Sequence, residues 1–165
     1  VAGIGLKWPN DLLWRRRKLG GLLIEVAAEA QGPSLVVVGL GLNTRLRGAQ
    51  VQGIDQPWVD LDEILGPQGY RRNHIAALAT EALVVTLERY GREGLAPFLS
   101  LWERHDRYRG ERVEIRQGER RIIGTQADIT AEGALRVEVA GEIQIFTAGE
   151  VSLRSAPVAK LGPED

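Results

Sequence analysis

Short apolar runs, punctuated by turn residues, open the chain. Residues 4–8 are mostly apolar, although Gly3 and Gly5 interrupt the start, and the run stops at Pro9, which has no N–H to give to a central ladder. Asn10 and Asp11 follow as turn formers. Residues 22–26, preceded by Gly20 and Gly21, and the valine-rich residues 35–42 are largely apolar runs, which predicts strands buried between layers in a sheet covered on at least one side and partly on the other. Residues 31–34 have the length and composition of a hairpin loop between them. Residues 46–70 lose all periodicity and hold Gly48, Gly53, Pro57, Gly66, Pro67 and Gly69, a long loop with a short helical turn at 61–65. Such loops are functional or mobile.

Over residues 72–90 the side chains Ile75, Leu78, Ala79, Ala82, Leu83, Leu87 and Tyr90 recur at three- and four-residue spacing, one face of a helix that Gly91 ends. Residues 95–108 repeat the pattern with Phe98, Leu99, Leu101 and Trp102. Beyond Gly110 the period changes to short β-like stretches divided by glycines 118, 124, 133 and 141, the pattern of a small antiparallel barrel. The division falls near Arg109, giving a first domain over 1–109, a barrel over 110–156 and a disordered tail over 157–165.

Composition narrows the classes. The chain has 165 residues, 44% of them hydrophobic, enough for one domain or a medium domain with a small one appended. With 21 basic against 22 acidic side chains, the net charge of −1 argues against a dedicated nucleic-acid binder. The absence of cysteine excludes disulfides, thiolate zinc sites and a cysteine nucleophile, and fits a reducing cytoplasm. His74 and His105 lie far apart, so no metal site is assigned. No run reaches the roughly 20 apolar residues of a membrane span, and no signal pattern opens the chain. The chain begins with Val1 and holds no methionine, so it is expected to be part of a longer translation product.

Three places carry chemistry-bearing residues. Lys7-Trp8-Pro9-Asn10-Asp11 delivers a cation, an amide and a carboxylate at a strand end. Trp14-Arg15-Arg16-Arg17-Lys18-Leu19-Gly20-Gly21 is a basic hairpin tip that runs into an apolar strand. Its arginines read as a solvated edge that blocks aggregation, whereas Lys18, the last charge before the glycines, can lean inward over phosphate or carboxylate oxygens. In Gly39-Leu40-Gly41-Leu42-Asn43 the glycines share one face of a strand. They indicate either close approach of a flat ligand or a bulge and packing requirement. Asp11 reads most simply as a turn residue, and His105-Asp106 as a helix cap or surface pair. Together these residues describe a site for a small anionic ligand on a half-open sheet, and by themselves name no reaction.

Taken in order with short spacers, Lys7 to Asp11, Lys18 to Gly21 with Glu25 beyond, and Gly39-x-Gly41-x-Asn43 closely resemble the catalytic domain of the biotin protein ligases, the biotin–[acetyl-CoA-carboxylase] ligases. The later part is similar too, with Gly124 and Asp128, Gly133-Ala134-Leu135, and Gly149-Glu150-Val151-Ser152-Leu153-Arg154, so the likeness runs from about residue 4 to 155. Leucine stands where that family often has isoleucine, at Leu22, Leu40 and Leu42. The family's Gly-Arg-rich loop, which closes over biotin and the adenylate, lies upstream of the Lys-Trp-Pro-Asn-Asp motif and is not in this sequence, nor are the biotin-contacting hydroxyls and glutamine of that region.

The resemblance implies an α+β fold: a mixed sheet with helices packed on it, truncated and of the class II aminoacyl-tRNA-synthetase-like kind, plus a small SH3-like β-barrel. It implies protein biotinylation in the cytoplasm, in which MgATP and biotin form biotinyl-5'-AMP and a lysine of the biotin carboxyl carrier protein takes the biotinyl group. By resemblance Lys18, Lys7 and Asp11 are catalytic, and Lys18, Gly21, Leu22, Gly39 and Gly41 hold biotin. Asn10, Asn43, Glu150 and Arg154 face the nucleotide, the last two being equally a structural ion pair. Asp11 either meets magnesium-bound water or orients the acceptor lysine. The cofactors implied are ATP and Mg2+. A homodimer through the strand that begins at Gly20 is a further implication, and DNA becomes a partner only if the parent carries an N-terminal repressor domain. With that loop absent, this chain alone is expected to be inactive, and the alternative is a catalytically incompetent fragment that only binds nucleotide or carrier protein. Less favoured are a nucleic-acid module using Arg15 to Arg17 and a lipoyl-type ligase.

Overall fold

The computed structural model describes residues 3–27, 35–48, 52–54, 56–148 and 152–155. In order they form β1 (Ile4–Lys7), β2 (Asp11–Trp14), β3 (Arg17–Ala27), β4 (Leu35–Leu42), α1 (Leu61–Leu65), α2 (Arg72–Glu93) and α3 (Ala96–His105). Then come β5 (Arg112–Gln117), β6 (Arg120–Ile129), β7 (Leu135–Val139), β8 (Glu142–Phe146) and β9 (Ser152–Ser155). The chain divides into two compact units, Val1–Arg107 and Tyr108–Asp165. The expected hairpin loop at 31–34 and the expected tail at 157–165 lie outside the described residues.

The first unit is built on an antiparallel sheet of order β1-β2-β3-β4. The turn through Pro9 sets Lys7 directly opposite Asp11 across the β1–β2 hairpin. The β2–β3 turn holds Arg15 and Arg16 at φ of 47° and 66°, the left-handed pair that a two-residue hairpin turn requires. Neither is glycine, so the turn is strained, and the Arg15 and Arg17 guanidiniums stacked 4.4 and 5.4 Å from the centre of the Trp14 ring offset part of that strain. Leu19 is an extra residue in β3: Leu12 pairs with Gly20 while the next residue, Leu13, pairs with Lys18.

Leu19 anchors the core. It is buried with Val59 and Leu61, and Ile4, Leu12, Trp14, Leu42, Ile64, Tyr70 and Ile75 pack around this cluster. The aperiodic segment after β4 is therefore part of the interior. Lys18 N–H donates to Pro57 O at 2.8 Å, Val59 N–H to Lys18 O at 2.9 Å, and Leu61 N–H to Asn43 O at 2.9 Å. The short helix expected at 61–65 is α1, capped by the Asp60 carboxylate, which accepts from Glu63 N–H at 2.9 Å.

Four expectations are corrected. The first sheet is antiparallel throughout its named strands, not mixed. The sheet, expected to be covered on at least one side and partly on the other, is covered only where residues 57–61 lie beside it: Leu23 is 62% and Val37 53% exposed. The apolar pattern records which positions favour cover, not whether neighbouring chain supplies it. The helices expected to pack on the sheet do so only slightly. α2 buries none of its residues, and only Ile75, in its first turn, joins the periphery of the core. It also continues through Gly91 and ends at Gly94, which has φ of 68° and donates its N–H to Tyr90 O. α3 begins on Pro97 in its first turn and stops at His105, shorter than the 95–108 expected.

The fourth correction concerns the SH3-like barrel. The second unit is an open antiparallel sheet of order β8-β7-β6-β5-β9. A barrel needs its first and last strands to pair, and among the described residues no ladder joins β8 to β9. Val113, Ile115, Ile122, Leu135, Val137, Phe146 and Leu153 are its buried hydrophobics, whereas Ile143 and Ile145 on the β8 edge are exposed. Among the described residues no helix is long and apolar enough to cross a membrane.

Candidate functional site

Three charged side chains meet on the first sheet. The Asp11 carboxylate takes the Lys7 ammonium on Oδ2 at 3.3 Å and the Lys18 ammonium on Oδ1 at 2.5 Å. Two local features cause this. Cross-strand pairing puts Lys7 opposite Asp11, and the bulge at Leu19 re-aims Lys18 toward the same carboxylate. The three differ in access: the side chains of Lys7, Asp11 and Lys18 are 5%, 12% and 34% exposed. Lys7 is held from below as well, 3.4 Å from Gln56 Oε1.

Beside this triad lies an open cleft of about 640 Å³, whose polar rim is Asn10, Asp11, Lys18 and Asn43. Its floor is Gly20, Gly21, Gly39 and Gly41, with Leu22, Leu23, Leu40 and Leu42 alternating among them. The glycines divide by cause. A Cβ on Gly20 would stand 2.3 Å from Gly41 O, and one on Gly21 3.1 Å from Asn10 O, so these two answer to packing within the chain. A Cβ on Gly39 or Gly41 would meet nothing nearer than 3.7 or 3.8 Å. Nothing inside the described chain requires those two to be bare, and the effect of their bareness is a flat, side-chain-free patch. Gly20→Ala is therefore expected to destabilise the fold by about 1–3 kcal/mol as overpacking. Gly41→Ala is expected to stay within about 0.5 kcal/mol of the parent in the same urea titration.

The two asparagines are partly committed. Asn43 Nδ2 donates both hydrogens to carbonyls, Lys18 O at 3.2 Å and Val59 O at 3.1 Å, which leaves Oδ1 as its free acceptor. Asn10 Nδ2 donates to Leu22 O, and Leu22 N–H returns to Asn10 O at 3.0 Å, pinning the turn to β3. Thus Asn10, Asp11, Lys18, Gly21, Leu22, Gly39, Gly41 and Asn43 come together on one cleft, with Lys7 buried behind its rim. Arg154 is in the second unit on β9, opposite Glu114. There Arg116, hydrogen-bonded to it, holds the Glu114 carboxyl below the usual carboxylate range, with Arg121 and Arg154 adding attraction. Glu150 lies outside the described residues. Among the described residues no group of three or more His, Asp or Glu side chains is placed to hold a metal ion.

A second polar cluster behind the site was not singled out in the sequence. Asp62 accepts from Arg45 Nε at 2.6 Å and from Arg47 at 3.1 Å, and its Oδ1 lies 2.8 Å from Tyr70 OH. Tyr70 OH is also 2.7 Å from Thr44 O, and with one proton to give it serves one acceptor at a time. Asp60 accepts from Leu46 N–H at 2.9 Å. The cluster fixes the chain just after Asn43. Its only sequence signal is the matched spacing of Arg45-x-Arg47 and Asp60-x-Asp62.

The hydroxyl of Tyr70, and then Arg45 and Arg47, keep the Asp62 carboxyl below the ordinary carboxylate range. The folded state therefore binds fewer protons here than the unfolded chain. The stabilisation is fully present above the unfolded value near 4 and is lost as pH falls through the lower folded one. Thermal melts at pH 7, 5 and 3 should show this acid loss, and Asp62→Asn should flatten it.

Residues 109–154 match the family described as "Biotin protein ligase C terminal domain". The bifunctional ligase/repressor BirA of Escherichia coli K12 is 37% identical over 153 residues, covering 93% of this chain and 47% of that protein. The biotin–[acetyl-CoA-carboxylase] ligase of Mycobacterium tuberculosis is 31% identical over 151 residues, 91% of this chain and 53% of that protein. The Aquifex aeolicus biotin protein ligase, solved with biotin and ATP, superposes with a TM-score of 0.78 at 26% identity, over 93% of this chain and 62% of that one. The chain thus spans about half the length of the curated relatives it matches.

Proposed function

The chain belongs to the biotin protein ligase family, and we propose that its first unit carries the lysine centre of an ATP-dependent biotin activation. In that reaction a biotin carboxylate oxygen attacks the α-phosphorus of MgATP, forming biotinyl-5'-AMP and releasing pyrophosphate. A lysine amine of a carrier protein then attacks the acyl carbon and AMP leaves. The physical obstacle is the approach of one anion to another. A fixed cation that binds the shared oxygens more strongly as charge concentrates between them lowers that barrier.

The observation that carries this reading is the Lys18 ammonium at the rim of a cleft floored by Gly39 and Gly41. The bare patch accepts the flat bicyclic ring of biotin beside Leu23, the side chain nearest the space over Gly39, while Leu22 pairs with Leu40 on the other face; Lys18 receives the biotin carboxylate and the α-phosphate. Asn43, both of whose N–H groups are committed to carbonyls, presents only an acceptor, which suits the exocyclic amine of adenine. Asn10 lines the same rim. Asp11 is occupied by two ammoniums, an unfavourable state for a metal ligand, so Mg2+ enters with ATP as its chelate.

Calorimetry with biotin and with ATP, together with pyrophosphate release when both are present, tests the proposal. Binding of both with release of pyrophosphate supports activation, and failure to bind either removes it. A second reading, binding without turnover, is favoured by the exposed far half of β3 and β4, where Leu23 and Val37 leave the platform uncovered. Its signature is saturable ATP or biotin binding with no pyrophosphate above the uncatalysed level.

A further inference from the structure

Lys7 and Lys18 share one carboxylate but have different relations to the cleft. Lys18 is accessible and lines it, whereas Lys7 is buried and does not. The ammonium assigned to substrate oxygens rests on Asp11 Oδ1. An incoming anion must therefore compete with Asp11 for Lys18. When Lys18 transfers to the anion, a carboxylate only 12% exposed would be left uncompensated, which is costly. Lys7, on the other oxygen of the same carboxylate, removes that cost.

We propose that Lys7 and Asp11 form a charge latch on Lys18, in which Asp11 holds the ammonium in register while the cleft is empty and Lys7 is the standing counter-ion that lets Asp11 release it to an anionic ligand. Lys7 is thus a positioning residue that acts through Asp11 and makes no contact with the ligand. The latch deepens the ligase reading, and rests on it only for the identity of the anion.

The chain contains three lysines, Lys7, Lys18 and Lys160, so a sample labelled with 15N at lysine gives a side-chain spectrum with one signal from each. Inorganic pyrophosphate is the probe. Titration should shift the Lys18 Nζ signal and leave that of Lys7 nearly in place; an equal shift of Lys7 would make it a direct ligand and overturn the latch. Calorimetry on four forms supplies the second readout. Asp11→Asn, which removes the competitor, should raise pyrophosphate affinity about threefold or more, and Lys7→Met should lower it about tenfold, less than truncation of one partner of a fully buried charge pair costs, because the Asp11 side chain keeps some access to solvent. In the Asp11→Asn background, Lys7→Met should have little effect, because there is no carboxylate left to compensate.

Equal tenfold losses in both backgrounds would overturn the proposal, as would absence of pyrophosphate binding by all four forms. If Lys7→Met alone does not fold, Lys7→Arg, which keeps the buried charge, should restore wild-type affinity, and the Asp11→Asn and double-variant arms remain decisive. A positive cycle with no biotin-dependent pyrophosphate release would remove the ligase reading and leave the latch standing.

Discussion

Lys18→Ala is expected to slow formation of the biotinyl adenylate about 10²–10³-fold, the effect of losing one preorganised charge at the reacting oxygens. The fold should be almost untouched. What ties this residue into the core is its backbone, whose N–H goes to Pro57 O and whose carbonyl takes Val59 N–H and Asn43 Nδ2. All three bonds survive truncation of the side chain. Asp11 keeps Lys7 as a partner, so no buried carboxylate is stranded, and the lost ion pair was one-third exposed on the lysine side. The melting temperature should therefore correspond to a change within about 1 kcal/mol. ATP–pyrophosphate exchange with biotin checks the rate, and calorimetric melting checks the fold. An exchange rate equal to the parent's would refute the role given to Lys18.

That separation between side chain and backbone was only half legible in the sequence. The inward lean of Lys18 could be inferred from its place before Gly20-Gly21, and the shared face of Gly39 and Gly41 from their spacing. The means by which Lys18 reaches Asp11 could not. It depends on a bulge at Leu19 and on β2, a strand hidden because Asp11 reads equally well as a turn former and Leu12-Leu13 breaks the alternation. The Arg15–Arg16 turn carries none of the glycine or asparagine that normally marks left-handed positions. Residues 57–60 looked like loop because backbone bonds to Lys18 tie them in at Pro57 and Val59, which leaves no hydrophobic period. In the second unit the strands were visible but the openness of their sheet was not: the expected barrel needs β8 to pair with β9, a long-range property that local alternation does not encode, and among the described residues the two do not pair. The ambiguity over Gly39 and Gly41 yielded only to geometry: the space above each is open, whereas that above Gly20 is filled by Gly41 O.

Asn43→Asp is expected to be the most damaging isosteric change in the first unit. The parent carboxamide gives one N–H each to Lys18 O and Val59 O. An aspartate of the same shape places a carboxylate oxygen where that nitrogen was, so an anion faces two carbonyl dipoles and two partly buried acceptors lose a donor. One buried unsatisfied polar group costs about 1–3 kcal/mol, and with charge repulsion added the loss should be about 3 kcal/mol or more in a urea titration. Asn43→Ala removes the donors without the repulsion and should fall between parent and Asn43→Asp. The ordering discriminates between the two roles open to this residue. If Asn43 served only as an acceptor toward nucleotide, aspartate would keep the acceptor, stability would be unchanged and alanine would be the worse binder. If it clamps the Lys18 backbone to residues 57–60, aspartate is the worse in both measurements. Slackening at Val59 also loosens Lys18 O, which accepts from Val59 N–H and from the same Asn43 Nδ2, so ATP affinity should fall in step with stability. A stable Asn43→Asp protein with full ATP affinity would remove the clamp.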